Sequence, residues 1–204
     1  DSGIPNESII SCIADSDGFV WLGTKDGLCR YDGANYMVPQ ELESTGLLTG
    51  TISALCEDSD GDIWFSSNSG VGRYDRHSGK ADRVPGLEHV MSFCIAAGHD
   101  NDVWIVETRA LALYHYEEDK DKLTHYPADL HIRAQYACVD SNGVPWFTIN
   151  GKNSLYCFIK SSGVFEENVI IVNGQPNNER LHLIQPAGPN HLLVTTQSKK
   201  LLLV

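Results

Sequence analysis

The four tryptophans of this 204-residue chain are evenly spaced. They stand at positions 21, 64, 104 and 146, which are 43, 40 and 42 residues apart, and Leu193 takes the same place 47 residues further on. Periods of about 40 to 50 residues are typical of β-propeller blades. Because all the tryptophans occupy one repeat position, the sequence predicts that they pack between neighbouring sheets and do not form a ligand site.

Each repeat contains four short runs with β-strand character, separated by turn residues. In the first they are "SIISCIAD", "FVWLGT", "LCRYD" and "YMVP", and in the fourth the last run is "EENVIIV". No long segment has a helical period. We predict an all-β chain, a single β-propeller fragment over 1–204, with four-stranded antiparallel blades. The expected blades are four at 8–39, 51–85, 90–127 and 134–172, and part of a fifth at 181–204, which together make an incomplete ring.

Acidic turns precede the tryptophan strands, as in "DSDG" at 15–18 and 58–61. A calcium loop beginning at Asp58 would require glycine at its sixth position and glutamate at its twelfth, where Ile63 and Ser69 stand. Asp also bonds the backbone of tight turns, and Gly supplies positive φ there. The pattern therefore favours turn residues over metal ligands, and we expect neither a metal nor a cofactor.

The charge balance is acidic, with 27 Asp and Glu against 15 Lys and Arg, a net charge of −12. Such a chain should repel nucleic acid and anionic membranes. No apolar run reaches the roughly 20 residues that span a bilayer, so we expect no direct membrane insertion by this region.

The six cysteines form no CxxC pair or zinc spacing, and most stand in apolar runs such as "SALC" and "FCIA". This pattern favours buried thiols over disulfides or metal ligands. It leaves the redox compartment open.

The stretch "DSDGFVWLGTKDGLCRYDG" at 15–33 resembles the two-component regulator propeller repeat, and "DSDGDIWFSSNSGVGRYD" repeats the pattern. The third copy lacks the glycine before "LALYHY", the fourth carries an insertion, and the fifth is recognisable mainly by position. The family resemblance implies the periplasmic sensor region of a hybrid two-component system in polysaccharide-degrading gut bacteria. There, tandem propellers precede a small β-sandwich and a membrane-anchored histidine kinase, and this chain shows neither of these two later parts.

The same resemblance implies the partners. The ligand would be an oligosaccharide, and the chain would join the remainder of the propeller and the kinase ectodomain, with a homodimer in the complete protein. The sequence starts in a loop and stops in "KKLLLV", the third strand of a fifth blade. We expect truncation at both ends and an exposed sheet edge that favours self-association.

Candidate ligand residues follow from blade geometry, because alternate connections of an antiparallel sheet lie at opposite ends. The loops after the tryptophan strands share one rim and carry short polar side chains suited to sugar hydroxyls, although such residues are also ordinary in turns. The candidates are Lys25, Asp26, Asn68, Arg109, Asn150, Lys152 and Asn153.

Three functions remain open at this stage. A ligand-sensing ectodomain without enzymatic activity is favoured by the resemblance and by the absence of HExxH and GxSxG motifs. A propeller lyase or glycosidase would need paired carboxylates or a metal with a base. A protein-interaction scaffold would instead present an aromatic or Arg-centred patch.

Overall fold

The structure is a computed structural model that describes residues 3–39, 50–107, 112–127 and 134–204. The chain forms two compact units, Asp1–Ile95 and Ala96–Val204. Apart from one 3₁₀ turn at Glu118–Lys120, the regular structure of the described residues is β-strand. The all-β prediction is therefore confirmed.

The first two blades are four-stranded antiparallel sheets whose strands pair in chain order. The first blade consists of β1 (Ile9–Ala14), β2 (Val20–Thr24), β3 (Gly27–Tyr31) and β4 (Tyr36–Met37). The second consists of β5 (Ile52–Glu57), β6 (Ile63–Ser67), β7 (Gly70–Tyr74) and β8 (Ala81–Arg83).

Two further four-stranded sheets follow with the same strand order. The third blade consists of β9 (Ser92–Ala97), β10 (Asp102–Glu107), β11 (Ala112–Glu117) and β12 (Lys122–Pro127). The fourth consists of β13 (Ala134–Val139), β14 (Pro145–Ile149), β15 (Leu155–Ile159) and β16 (Val164–Asn168). A two-stranded hairpin, β17 (Ile171–Val172) and β18 (Gln175–Pro176), comes next.

The last sheet corrects the predicted blade count. Its strands are β19 (Leu181–Pro186), β20 (Leu192–Thr196) and β21 (Leu201–Leu203), paired in order. The sequence treated this segment as part of a blade in an incomplete ring. It is instead a fifth blade, because Leu181, Ile184 and Val194 are buried in a core that it shares with the fourth. Val194, one residue after the tryptophan position, lies where Phe65 and Phe147 lie in earlier blades and packs against the preceding blade.

The hairpin is a second difference from prediction, since "EENVIIV" was expected to be one strand. The fourth strand ends at Asn168, and Ile171–Val172 pairs with Gln175–Pro176. Asn173 and Gly174 have φ values of 52° and 77°. Two central residues with positive φ favour a tight hairpin turn, so the chain reverses there.

Cores lie between consecutive blades within each unit. In the first unit Trp21 and Phe65 are fully buried, and the Trp21 and Tyr74 rings lie 5.1 Å apart. In the second unit Trp104 and Phe158 pack in one core, whereas Trp146 packs half-buried against the next. The predicted packing role of the tryptophans is confirmed.

The acidic turns are tied to these cores. Asp15 Oδ1 accepts hydrogen bonds from the backbone N–H groups of Asp17 and Phe19, while its Oδ2 accepts one from Trp21 Nε1 at 2.8 Å. The predicted turn role of these aspartates is confirmed. The sequence did not predict the indole bond, which anchors the turn to the buried tryptophan.

The cysteines follow the prediction with one exception. Cys29, Cys94, Cys138 and Cys157 are buried, and Cys56 is half-buried. Cys12 is exposed, which corrects the prediction for this residue. It lies in β1, a strand whose residues are mostly exposed.

Candidate functional site

A cleft of about 560 Å³ lies in the second unit, between the fourth and fifth blades. It opens at the sheet ends that carry the loops after the tryptophan-strand positions, here called the tryptophan-strand rim. Its lining residues come from four short segments of this rim. They are Gln135, Asn150, Gly151, Arg180, Leu181, His182, Thr195, Thr196, Gln197 and Lys199.

The first wall of the cleft is the turn that follows β14. The Lys152 backbone N–H donates to the Ile149 carbonyl at 3.0 Å, and Gly151 has a φ of 82°. This is the arrangement of a type II turn, whose third position favours glycine. The turn places Asn150, which is exposed, at its tip beside the cleft.

Backbone hydrogen bonds join this turn to the opposite wall. Leu181 N–H donates to the Lys152 carbonyl at 2.9 Å, and Gln197 N–H donates to the Arg180 carbonyl at 2.9 Å. The loop before β19 is thereby fixed to the turn after β14 and to the turn after β20. Because these bonds involve the main chain, the cleft has a rigid frame that does not depend on its side chains.

The turn after β20 is held by Glu179, outside the cleft. Its carboxylate accepts hydrogen bonds from Lys200, Ser198 and Thr196. The Lys200 ammonium, with the two hydroxyls, lowers the pKa of Glu179 to about 2. This carboxylate is therefore ionised at neutral pH and engaged with its own turn.

The side chains of the cleft are cationic or neutral. Arg180 and Lys199 are exposed, and among the described residues neither forms an ion pair. Amides, hydroxyls and an imidazole complete the lining, and the described lining contains no carboxylate. In a chain of net charge −12, this makes the cleft a local positive site. Arg and amide groups together suit a hydroxyl-rich ligand that carries negative charge.

An aromatic contact fixes one side of the cleft. The His182 ring meets the Tyr136 ring edge-on, with centroids 5.0 Å apart. Such contacts restrict rotation of both rings, so His182 presents a defined edge to the cleft.

Asn150, Lys152 and Asn153, three of the predicted ligand residues, lie in the turn after β14. Of these only Asn150 lines the cleft. Asn153 instead donates from Nδ2 to the Asn177 carbonyl at 2.7 Å, and Asn177 returns a bond to the Asn153 carbonyl at 3.0 Å. Asn153 thus connects two loops, and Lys152 contributes its backbone.

Three other predicted residues lie in the first unit. Lys25 and Asp26 form the exposed turn after β2, where Asp26 Oδ2 accepts a 2.6 Å bond from Asn6. Asn68 is exposed in the turn after β6. Arg109, the last of the predicted set, lies outside the described residues. The predicted binding role of this set as a whole stays a prediction.

Sequence reasoning missed most of the cleft. Gln197 stands four residues after Leu193, as Asn150 does after Trp146, so applying the same rule to the fifth copy finds it. Arg180 and His182 carry no repeat signal, because they belong to the link between blades. Their proximity to Asn150 follows only from the backbone bonds that join the loops.

The strand order, the repeated sheets and the cores between them define a β-propeller protein with antiparallel four-stranded blades. Residues 3–26 and 46–69 match the family model described as two component regulator propeller. The chain thus carries repeats of that family, and the resemblance seen in the sequence is confirmed. No curated protein matches the chain by sequence.

Solved structures with the same fold include extracellular domains of bacterial one component and two component systems, and enzymes. The extracellular domain of BT4673 from B. thetaiotaomicron, described as a one component system, has a TM-score of 0.72 at 18% identity, covering 97% of this chain and 27% of its own. A structure of the same domain, described as part of a hybrid two component system, has a TM-score of 0.66 at 18% identity and covers 93% and 25%. Virginiamycin B lyase from Staphylococcus aureus has a TM-score of 0.66 at 17% identity and covers 97% and 69%.

At these identities the likeness shows the fold alone. The chain spans about a quarter of the length of the two BT4673 domains. In the part of the chain that the structure describes, no helix has the length and apolarity needed to cross a membrane.

Proposed function

We propose that this chain is the ligand-sensing propeller module of a hybrid two-component sensor and that it binds an acidic oligosaccharide in the cleft between its fourth and fifth blades. The observation that carries the proposal is the pairing of Arg180 and Lys199 with amide and hydroxyl side chains in a cleft of about 560 Å³. Amides and hydroxyls suit sugar hydroxyls, and the two cations suit carboxylate or sulfate groups.

The same proposal covers the cellular location of the module and its partners. The family repeats at 3–26 and 46–69, together with the fold likeness to extracellular sensor domains of B. thetaiotaomicron, support a periplasmic location. In the complete protein the module would join the rest of a propeller region and signal as a homodimer to a membrane-anchored histidine kinase. Sugar binding would shift the equilibrium between two states of that assembly.

An enzymatic role is the second candidate, because the fold is shared with virginiamycin B lyase. A glycosidase would need two carboxylates flanking the sugar. The described lining residues offer His182 as a candidate base, with cations and amides beside it. Chromatography of the sugar after binding separates this candidate from the sensor.

Calorimetric titration of the chain with trigalacturonate and with neutral maltotriose tests the proposal. We expect saturable binding of trigalacturonate that weakens with salt, and recovery of the sugar intact. Replacement of Arg180 by Ala should weaken binding about tenfold, which corresponds to about 1.4 kcal/mol. Lys152→Ala is the matched control, since Lys152 lies in the same loop region outside the cleft lining.

Two results would overturn the sensor proposal. Cleaved sugar would identify an enzyme. Equal binding by the Arg180→Ala and Lys152→Ala variants would show that the ligand does not use this cleft.

A further inference from the structure

One blade lacks the carboxylate that the other tryptophan turns share. In the first, second and fourth blades an aspartate six residues before the tryptophan accepts a hydrogen bond from the indole N–H. The three pairs, at 2.8, 2.7 and 2.8 Å, are Asp15 with Trp21, Asp58 with Trp64, and Asp140 with Trp146. In the third blade the residue six before Trp104 is Gly98.

The turn at Gly98 otherwise keeps the geometry of its counterparts. Gly98 N–H donates to the Asp102 carbonyl at 2.7 Å, as Asp58 N–H donates to the Asp62 carbonyl at 3.0 Å. The indole of Trp104 thus faces the place where the other blades hold a carboxylate. Only the side chain is missing.

Trp104 is left with an unpaired donor. The residue is 2% exposed, and its Nε1 has no hydrogen-bond partner among the described residues. A buried donor without a partner is unfavourable, so an acceptor that enters and pairs with it is favoured there. His115 stacks on the indole with centroids 4.0 Å apart and holds the ring in position.

A cavity of about 190 Å³ lies beside this indole. It is large enough for roughly six water molecules and is therefore roomy enough for a ligand group. Besides Trp104, its lining consists of Gly98, His99, Asp100, Asp102, Val139, Ser141, Asn142 and Gly143. Asp100 and Ser141 offer hydrogen-bonding groups at its edge.

The cavity adjoins a wider space from which a ligand could enter. A second cavity of about 400 Å³ shares four of its lining residues and extends to Pro186 and Pro189 of the fifth blade. The shared residues are Gly98, His99, Val139 and Ser141. Both cavities open at the sheet ends that carry the acidic turns, opposite the cleft of the tryptophan-strand rim.

The charged residues around the third-blade cavity determine whether a charged or a neutral acceptor is favoured beside the Trp104 indole. In the second blade Asp58 and Asp62 are both buried, and Arg73 lies 3.9 and 2.6 Å from them. In the third blade His115 stands in the place of Arg73 and bonds Asp102 at 2.7 Å.

Burial lowers the pKa of His115 below the ordinary value of an imidazole, despite the bond to Asp102, and so favours its neutral form at pH 7. The described residues that line the cavity include two carboxylates, Asp100 and Asp102, and no lysine or arginine, so a further anion there would be repelled. A neutral oxygen is therefore favoured over a carboxylate.

We propose that the third-blade cavity binds a hydroxyl group of a neutral polyhydroxylated ligand. The hydroxyl oxygen accepts a hydrogen bond from Trp104 Nε1, and its O–H donates a hydrogen bond to the carboxylate of Asp100 or Asp102, since a hydroxyl can do both. The rest of the ligand lies in the adjoining cavity of about 400 Å³. This site is separate from the cleft near Arg180 and does not rest on the proposed function.

The indole N–H resonance of Trp104 in ¹⁵N-labelled protein reports on this site. The resonance is assigned by its loss in Trp104→Phe. Glucose and erythritol are the neutral probes, and acetate is the charged probe. We expect a saturable shift of this indole resonance with the neutral probes, while the indole resonances of the other three tryptophans stay in place.

Gly98→Asp should abolish the response, because its carboxylate takes the indole N–H as in the other blades. The change is sterically compatible, since a Cβ at Gly98 would lie 3.4 Å from Val139 Cγ1 and 3.6 Å from Asp102 Cβ. Gly98→Ala fills the same backbone position without an acceptor and should keep the response. Arg180→Ala should keep it as well, which separates this site from the cleft.

Two outcomes would overturn the proposal. Saturation by acetate and not by the neutral probes would assign the cavity to anions. The lack of a saturable shift with any probe, in protein whose thermal unfolding matches the wild type, would mean that water alone fills it.

Discussion

Asp58 Oδ2 accepts a 2.7 Å hydrogen bond from Trp64 Nε1, while Asp58 Oδ1 accepts from the backbone N–H groups of Asp60 and Asp62. One carboxylate therefore joins a surface turn to a fully buried ring. Burial raises the pKa of Asp58, and the bonds from Trp64 and the backbone oppose that rise. The contact recurs in three blades and is the unit by which the repeat fixes its turns to its core.

Asp58→Ala should destabilise the protein by about 1 to 3 kcal/mol, because the indole N–H and two backbone donors lose a buried acceptor. Urea unfolding followed by tryptophan fluorescence measures the change. Asp119→Ala is the control, since Asp119 is exposed in the turn between β11 and β12. Equal midpoints for the two variants would contradict the anchoring role.

Gly98→Asp should be more stable than Gly98→Ala by up to about 1 kcal/mol, because the added carboxylate, tethered beside the ring as in the other blades, pairs with the Trp104 indole while Asp102 repels it. Gly98→Ala accounts for the gain that comes from restricting the unfolded backbone.

The stability advantage of Gly98→Asp over Gly98→Ala should increase when His115→Arg is added to both. The arginine supplies the cation that Arg73 supplies in the second blade. A double-mutant cycle in urea measures that coupling. Additive effects would show that the third blade does not reproduce the charge arrangement of the second.

The repeat and its strands could be predicted because the tryptophan period and the turn residues are local signals. The missing carboxylate at Gly98 could not, since "HDNDVW" supplies aspartates at 100 and 102 that look like the motif. The Asn-Gly pair at 173–174 is a readable signal for a tight hairpin turn. The prediction did not use it and treated "EENVIIV", just before it, as one strand. Arg180 and His182 needed the structure, because long-range backbone pairing and not spacing brings them beside Asn150.

Salt dependence should distinguish the charged cleft residue Arg180 from the neutral cleft residue Asn150. Arg180→Ala should lower the affinity for trigalacturonate about tenfold in low salt and by less in high salt, because screening weakens the attraction in wild type. Asn150→Ala should weaken binding by a smaller factor that salt does not change, since an amide carries no charge. Titrations at two ionic strengths check both, and a salt-independent loss in Arg180→Ala would contradict a charge contact.

Thiol labelling should separate the cysteines by burial. Cys12 is exposed and should react with iodoacetamide in the native protein, whereas burial raises the pKa of Cys138 to about 12 and leaves little thiolate there. Mass spectrometry of peptides after brief labelling checks the order. Cys12→Ser is the control, and native labelling of Cys138 at the rate of Cys12 would contradict the packing of the fourth blade.

Glu117 should make the second unit sensitive to acid. Its carboxylate contacts Lys120 at 2.5 Å and Lys160 at 3.3 Å, and these bonds outweigh burial and lower its pKa to about 2. Because the folded-state pKa lies below the ordinary glutamate pKa of 4.5, the stabilisation is complete above that pH. It is lost as the pH falls toward 2.

Wild type should therefore lose more stability between neutral pH and about pH 3 than Glu117→Gln does, since the variant has no carboxyl to protonate there. Urea unfolding at a series of pH values gives the free energy of unfolding of both proteins as a function of pH. The contribution of the other acidic groups is common to both and cancels when one profile is subtracted from the other. Glu166→Gln, at an exposed position of β16, is the control and should follow the wild-type profile. Parallel profiles for wild type and Glu117→Gln would mean that the lysines do not hold Glu117 ionised in solution.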